Sequence, residues 1–95
     1  MKINIASNEV VHFIGIGGIG MSGLAQIMSN MGFKIQGSDL NQNKNTERLI
    51  KRGIKVFFGH HQRNLNKTTM IVISSAVKNS NKELIAAKKK KITYL

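Results

Sequence analysis

The chain contains no cysteine, no proline and no tryptophan. Without cysteine it has neither a disulfide framework nor a thiolate zinc site. Acids are also scarce. Glu9, Asp39, Glu47 and Glu83 stand alone against fifteen Lys and Arg, so no paired-carboxylate acid/base centre is legible. No apolar run is long enough to cross a bilayer, and residues 1–14 lack the layout of a signal peptide. A cytoplasmic protein without a membrane partner is therefore expected. Ninety-five residues leave room for one compact core, hence a single domain over residues 1–95. Nine glycines and 41% hydrophobic residues suit a folded chain rather than a disordered one.

The formal charge of +11 invites a nucleic-acid reading. Two features weaken it. Lys supplies twelve of the cations and Arg only three, whereas Arg makes the bidentate phosphate and base contacts. The lysines also travel with ten Asn and thirteen Ile and with the absence of Pro, a pattern that A/T-rich codons produce by drift. The aromatics Phe13, Phe33, Phe57, Phe58 and Tyr94 fall mostly in apolar, strand-like segments and offer no stacking platform. No nucleic-acid partner is expected, and a basic nucleic-acid-binding module stays as an alternative.

Strand-like and helix-like segments alternate, the mark of an α/β fold. Residues 1–8 read as a leader. Val10–Ile14 reads as a first strand, followed at once by Gly15-Ile16-Gly17-Gly18-Ile19-Gly20. Met21, Leu24, Ala25, Met28 and Met31 then recur at helical spacing, and Gly32 supplies a C-terminal stop. Phe33–Gln36 is a second strand running into Gly37-Ser38-Asp39. A second helix, Glu47–Arg52, is expected to be capped by Thr46, with Leu49 and Ile50 turned inward. Ile54–Phe58 and Met70–Ile73 read as strands three and four. A third helix, capped by Ser80 or Asn81, runs to Lys91, and Ile92–Leu95 opens a fifth strand just as the chain stops, as in a fragment of a longer protein. Right-handed crossovers arrange such elements as a Rossmann-like open parallel five-stranded sheet, order 3-2-1-4-5, with helices on both faces. A ligand then lies beyond the carboxyl ends of the strands, where Gly15–Ser22, Ser38-Asp39, Gly59-His60 and Ser74–Ala76 should converge.

The glycine loop is the strongest chemical signal. Gly15-x-Gly17-x-x-Gly20 directly follows a strand and opens a helix, the context that gives this fingerprint meaning. Glycines let the backbone approach a diphosphate, and free N–H groups at the helix start attract the anion. Ser22 adds a hydroxyl in the first turn. Asp39, nineteen residues after Gly20, stands where a carboxylate accepts from ribose hydroxyls. His60 can stack on or hydrogen-bond a base, or be a loop histidine in solvent. His12, mid-strand, reads as a packed core residue. Ser74 and Ser75 end the fourth strand, as ordinary turn residues or as phosphate or sugar ligands. No G-x-x-x-x-G-K-[ST] loop and no nucleophile elbow are present. The pattern binds a nucleotide without naming it, and an NAD(P)-binding domain of an oxidoreductase or regulator fits the glycines and Asp39 as well.

The string His12–Ala25, HFIGIGGIGMSGLA, resembles the N-terminal signature of the Mur ligase family of peptidoglycan (cell wall) biosynthesis. Within that family it looks like the UDP-N-acetylmuramate–L-alanine ligases. Gly37-Ser38-Asp39, Gly59-His60, Ser74-Ser75-Ala76 and Asn81-x-Glu83-Leu84 follow in order, so the resemblance covers residues 10–95. It implies a three-domain enzyme, serving cell shape and division, that joins L-alanine to UDP-N-acetylmuramate with ATP and Mg²⁺ through an acyl-phosphate. The first domain of that enzyme holds the UDP part, while the ATP loop and catalytic groups belong to a central domain absent from this chain. The implied substrate-binding residues are Gly17, Gly18, Ile19, Gly20, Met21 and Ser22 around the diphosphate and Asp39 and His60 at the uridine. Ser74, Ser75 and Ala76 would lie along the diphosphate and sugar. No catalytic residue, metal ligand or cofactor is assigned to this chain. Lys82 and Thr93 stand where the family usually has proline. Gly18-Ile19-Gly20-Met21-Ser22 favours the alanine-adding ligase over the related enzyme that reattaches recycled peptide.

Overall fold

A computed structural model of the chain describes residues 9–94. The leader expected over residues 1–8, and Leu95, lie outside the described residues. Strand β1 is Val10–Ile14, β2 Lys34–Asp39, β3 Lys55–Phe58, β4 Met70–Ile73 and β5 Thr93–Tyr94. Helix α1 is Ile19–Asn30, α2 Lys44–Lys51 and α3 Lys82–Lys89, with a 3₁₀ turn at Gln62–Leu65. All strand pairs are parallel, with Phe13 opposite Gly37 on one side and Val72 on the other.

The expected five-stranded Rossmann sheet requires correction. The sheet proper has four strands in the order β3-β2-β1-β4, each of four to six residues, flanked by three helices. At the fifth position stands only a two-residue rung, Thr93 and Tyr94 beside Met70 and Ile71. The reason is local: α3 ends at Lys89, and the chain turns through Lys90 and Lys91, the latter at φ 55°. Among the described residues only Thr93 and Tyr94 then lie alongside β4.

Alternation along β1 sets two cores. Val11 and Phe13 pack with Ala25 and Met28 of α1 and Leu49 of α2. Ile14, with Ile71 of β4, packs on the opposite face against Leu65 of the 3₁₀ turn and Leu84 and Ala87 of α3. One helix start differs in detail from the sequence reading. Asn43, not Thr46, caps α2: its side chain accepts from the Thr46 N–H, and the Thr46 hydroxyl answers the Asn43 N–H at 2.8 Å. The cap therefore lies three residues earlier, and Ile50 remains 45% exposed rather than turned inward. Asn81 caps α3 through the N–H groups of Glu83 and Leu84. Gly32 and Gly53, at φ +95° and +86°, follow α1 and α2 where a left-handed residue ends a helix. No helix among the described residues is long and apolar enough to cross a membrane.

Candidate functional site

Beyond the carboxyl ends of the strands lies a cleft of about 550 Å³. Gly15, Gly17, Gly18, Asp39, His60, Ser74 and Ala76 share its lining. All four expected segments therefore meet there. Ile19, Gly20, Met21, Ser22 and Ser75 are not part of that lining. Asn43, Lys78 and Asn81 are, although sequence reasoning did not assign them to the site. A larger depression of about 1050 Å³ runs along β2 and β3 past Lys34, Lys55, Arg63 and Lys67, and shares only His60 with the first. It holds none of the glycine loop, so we place the candidate site in the smaller cleft.

The loop is shaped by β2 and by the start of α2. Gly15 adopts φ +84°, and the N–H groups of Gly15 and Ile16 both reach the Ser38 carbonyl at 2.9 Å. The Gly17 N–H donates to Asp39 Oδ2 at 2.8 Å, and the Gly17 carbonyl accepts from Asn43 and Asn45 side chains. A Cβ on Gly17 would lie 2.7 Å from that carboxylate oxygen and 3.0 Å from Asn43 and Thr46, so any side chain there displaces the groups that hold the loop. Asp39 Oδ1 accepts the Leu40 N–H at 2.8 Å. Its carboxylate thus pins the loop from inside the protein, a partnership that the ribose reading did not include.

Helix α1 begins with Gly18 as its N-cap and no side chain capping it. Ser22 is the first residue to close a helical bond, its N–H to the Gly18 carbonyl at 2.8 Å. The N–H groups of Ile19, Gly20 and Met21 precede that bond and have no intrahelical acceptor. They form the positive end of the helix at exposed backbone, since Gly18, Ile19 and Gly20 are all solvent-facing. The Ser22 hydroxyl is buried and donates to the Ile19 carbonyl at 3.1 Å. Of the cleft's side chains, Lys78 brings a cation.

Behind the cleft sits a buried polar network that sequence reasoning missed. Glu83, in the first turn of α3, is wholly buried. Its Oε1 accepts from His12 Nε2 at 2.8 Å and Ser38 Oγ at 2.5 Å. Its Oε2 accepts from Asn64 Nδ2 at 2.7 Å and the His61 N–H at 3.2 Å. Burial alone would raise the carboxyl pKa. The hydrogen bond from His12 and the attraction of its ring when protonated, with the hydrogen bonds from Ser38 and Asn64, outweigh it and hold the group down at about 2. Gln36 donates to the Asn64 carbonyl at 2.7 Å, so its second N–H meets His12 Nδ1 at 2.8 Å and leaves Nε2 to donate to Glu83. His60 Nδ1 lies 2.8 Å from Ser38 Oγ. Every buried side-chain nitrogen and oxygen among the described residues has a partner. The available signals were a histidine inside an apolar strand and a glutamate beside Asn81 in an acid-poor chain.

The family model described as Mur ligase family, catalytic domain, matches residues 10–95. The chain belongs to the Mur ligase family. It is 59% identical over 92 residues to the UDP-N-acetylmuramate–L-alanine ligase of Pelagibacter ubique, which covers 97% of this chain and 20% of that protein. Among solved structures of Mur ligases, the UDP-N-acetylmuramate–alanine ligase from Thermotoga maritima superposes with a TM-score of 0.86 at 32% identity, over 90% of this chain and 20% of that one. The UDP-N-acetylmuramate:L-alanyl-γ-D-glutamyl-meso-diaminopimelate ligase from Neisseria meningitides gives 0.85 at 30% identity, over 92% of this chain and 28% of that one. The chain thus spans about one fifth of the length of the curated Mur ligases it matches.

Proposed function

We propose that this chain is the N-terminal substrate-binding domain of an ATP-dependent ligase that adds L-alanine to UDP-N-acetylmuramate, and that its cleft holds the UDP part. The supporting observation is the convergence of Gly17 and Gly18, Asp39, His60, Ser74 and Ala76 on one cleft, beside an uncapped helix start. A diphosphate suits the free N–H groups of Ile19, Gly20 and Met21, with Lys78 adding charge complementarity. Met21 and Ser22 would support the phosphate loop from the first turn. Asp39, His60 and Ser74–Ala76 then flank the nucleoside and sugar.

ATP and Mg²⁺ do not fit the residues present. The sequence has no phosphate loop ending in Gly-Lys-[Ser/Thr], and no cluster of three metal-ligating side chains occurs among the described residues. We assign ATP, Mg²⁺ and L-alanine to other parts of a cytoplasmic ligase, and to this chain the binding and orientation of the nucleotide sugar. The test is the melting temperature with UDP-N-acetylmuramate, UDP and NAD. A ligand at one hundred times its dissociation constant adds about 2.7 kcal/mol, a clear upward shift. Stabilisation by both uridine compounds and not by NAD is expected. Stabilisation by NAD alone would replace this reading with a nicotinamide-nucleotide domain.

A further inference from the structure

His60 lines the cleft, and its ring touches the buried network. Its proton position follows from its neighbours. Glu83 holds an ionised carboxylate that can only accept, so the single hydroxyl proton of Ser38, 2.5 Å from Oε1, is donated to it. Ser38 Oγ is then left as an acceptor toward His60 Nδ1 at 2.8 Å, and that nitrogen must carry a proton. Glu83 Oε1, 3.5 Å from the same nitrogen, favours the proton there too. The other donors on Glu83 are His12 Nε2, Asn64 Nδ2 and the His61 N–H, and none of them offers Ser38 a different role. His60 Nε2 has no hydrogen-bond partner among the described residues. Because no buried side-chain nitrogen lacks one, Nε2 is open to solvent. Neutral His60 therefore exposes an acceptor.

We propose that Glu83, acting through Ser38, is a positioning residue that locks His60 in its Nδ1–H tautomer, so that Nε2 accepts a hydrogen bond from an N–H or O–H of the bound nucleoside. This rests on the nucleotide reading of the cleft. A bare imidazole without the lock would exchange its proton between nitrogens and present a donor part of the time, weakening discrimination. The donor on the ligand is either the imide N–H of the base or a ribose hydroxyl.

The test is long-range ¹H–¹⁵N correlation of the histidine side chains in the ligand-free 95-residue chain, in mildly alkaline buffer. Wild type should show protonated Nδ1 and unprotonated Nε2 at His60. Ser38→Ala, a small change that spares the Glu83 contacts to His12, Asn64 and His61, should give a mixture of tautomers and weaken UDP binding about fivefold. Glu83→Gln should do the same if it folds. UDP methylated at the base N3 and 2′-deoxy-UDP separate the two donor sources: whichever loses affinity in wild type should lose little in Ser38→Ala. An Nε2–H tautomer in wild type, or a tautomer unchanged in both Ser38→Ala and Glu83→Gln, overturns the lock. The stated tautomer with no response of His60 to UDP leaves the lock intact and overturns the nucleotide reading.

Discussion

Replacing Glu83 with glutamine keeps the shape of a buried side chain and removes its charge. The carboxyl is held at about 2 against an ordinary value of 4.5, so its ionised form is worth about 3 kcal/mol more to the folded chain than to the unfolded one. Because the folded value is depressed, that stability is fully present above pH 4.5. It drains away as pH falls from there toward 2, by at most about 1.4 kcal/mol per pH unit. Glutamine also turns an N–H₂ toward groups that now donate to a carboxylate, so the variant loses stability at neutral pH by at least that amount. Urea unfolding followed by far-ultraviolet circular dichroism, at intervals from pH 7 to pH 2.5, gives the stability gap between wild type and Glu83→Gln. Between about pH 5 and pH 2.5 the gap should shrink by most of 3 kcal/mol. A gap as large at pH 2.5 as at pH 7 would refute the claim that an ionised Glu83 organises the interior behind the cleft.

Three further outcomes follow from contacts at the loop. Gly17→Ala forces a methyl group to 2.7 Å from the Asp39 carboxylate, and should cost about 1–3 kcal/mol in thermal unfolding and abolish the uridine-dependent stabilisation. Asn43→Ala removes the cap of α2 and a hydrogen bond to the Gly17 carbonyl, for a loss of about 1–2 kcal/mol by chemical denaturation. Lys78→Ala, at an exposed position in the cleft, should weaken UDP binding about two- to fivefold in low-salt calorimetry, with the difference fading as salt is raised.

Local patterning made most of the fold legible. The apolar runs of β1 and β4, the helical spacing from Met21 to Met28 and the stops at Gly32 and Gly53 each specify their element through adjacent residues. Ile92–Leu95 has strand composition, but among the described residues only Thr93 and Tyr94 pair with β4, and composition alone does not set the extent of pairing. The cap of α2 was placed too late because Thr46 and Asn43 both suit a cap, and only the reciprocal bonds distinguish them. The strand-end rule anticipated that these segments share one cleft. It carried no information on which groups use their hydrogen bonds internally. Asp39 binds the Gly17 N–H, and Ser22 binds the Ile19 carbonyl, facts set by side-chain direction rather than residue type. The Glu83 network was illegible for a different reason. Its members stand at positions 12, 36, 38, 60, 61, 64 and 83, and only the folded sheet makes them neighbours.

The most direct test of the uridine site is a ¹H–¹⁵N titration of the chain with UDP-N-acetylmuramate. The largest shifts should fall on the amides of Gly17–Ser22, Asp39, His60 and Ser74–Ala76, saturating together at one dissociation constant. Shifts centred instead on Lys34, Lys55, Arg63 and Lys67, or no saturable shift at all, would contradict it.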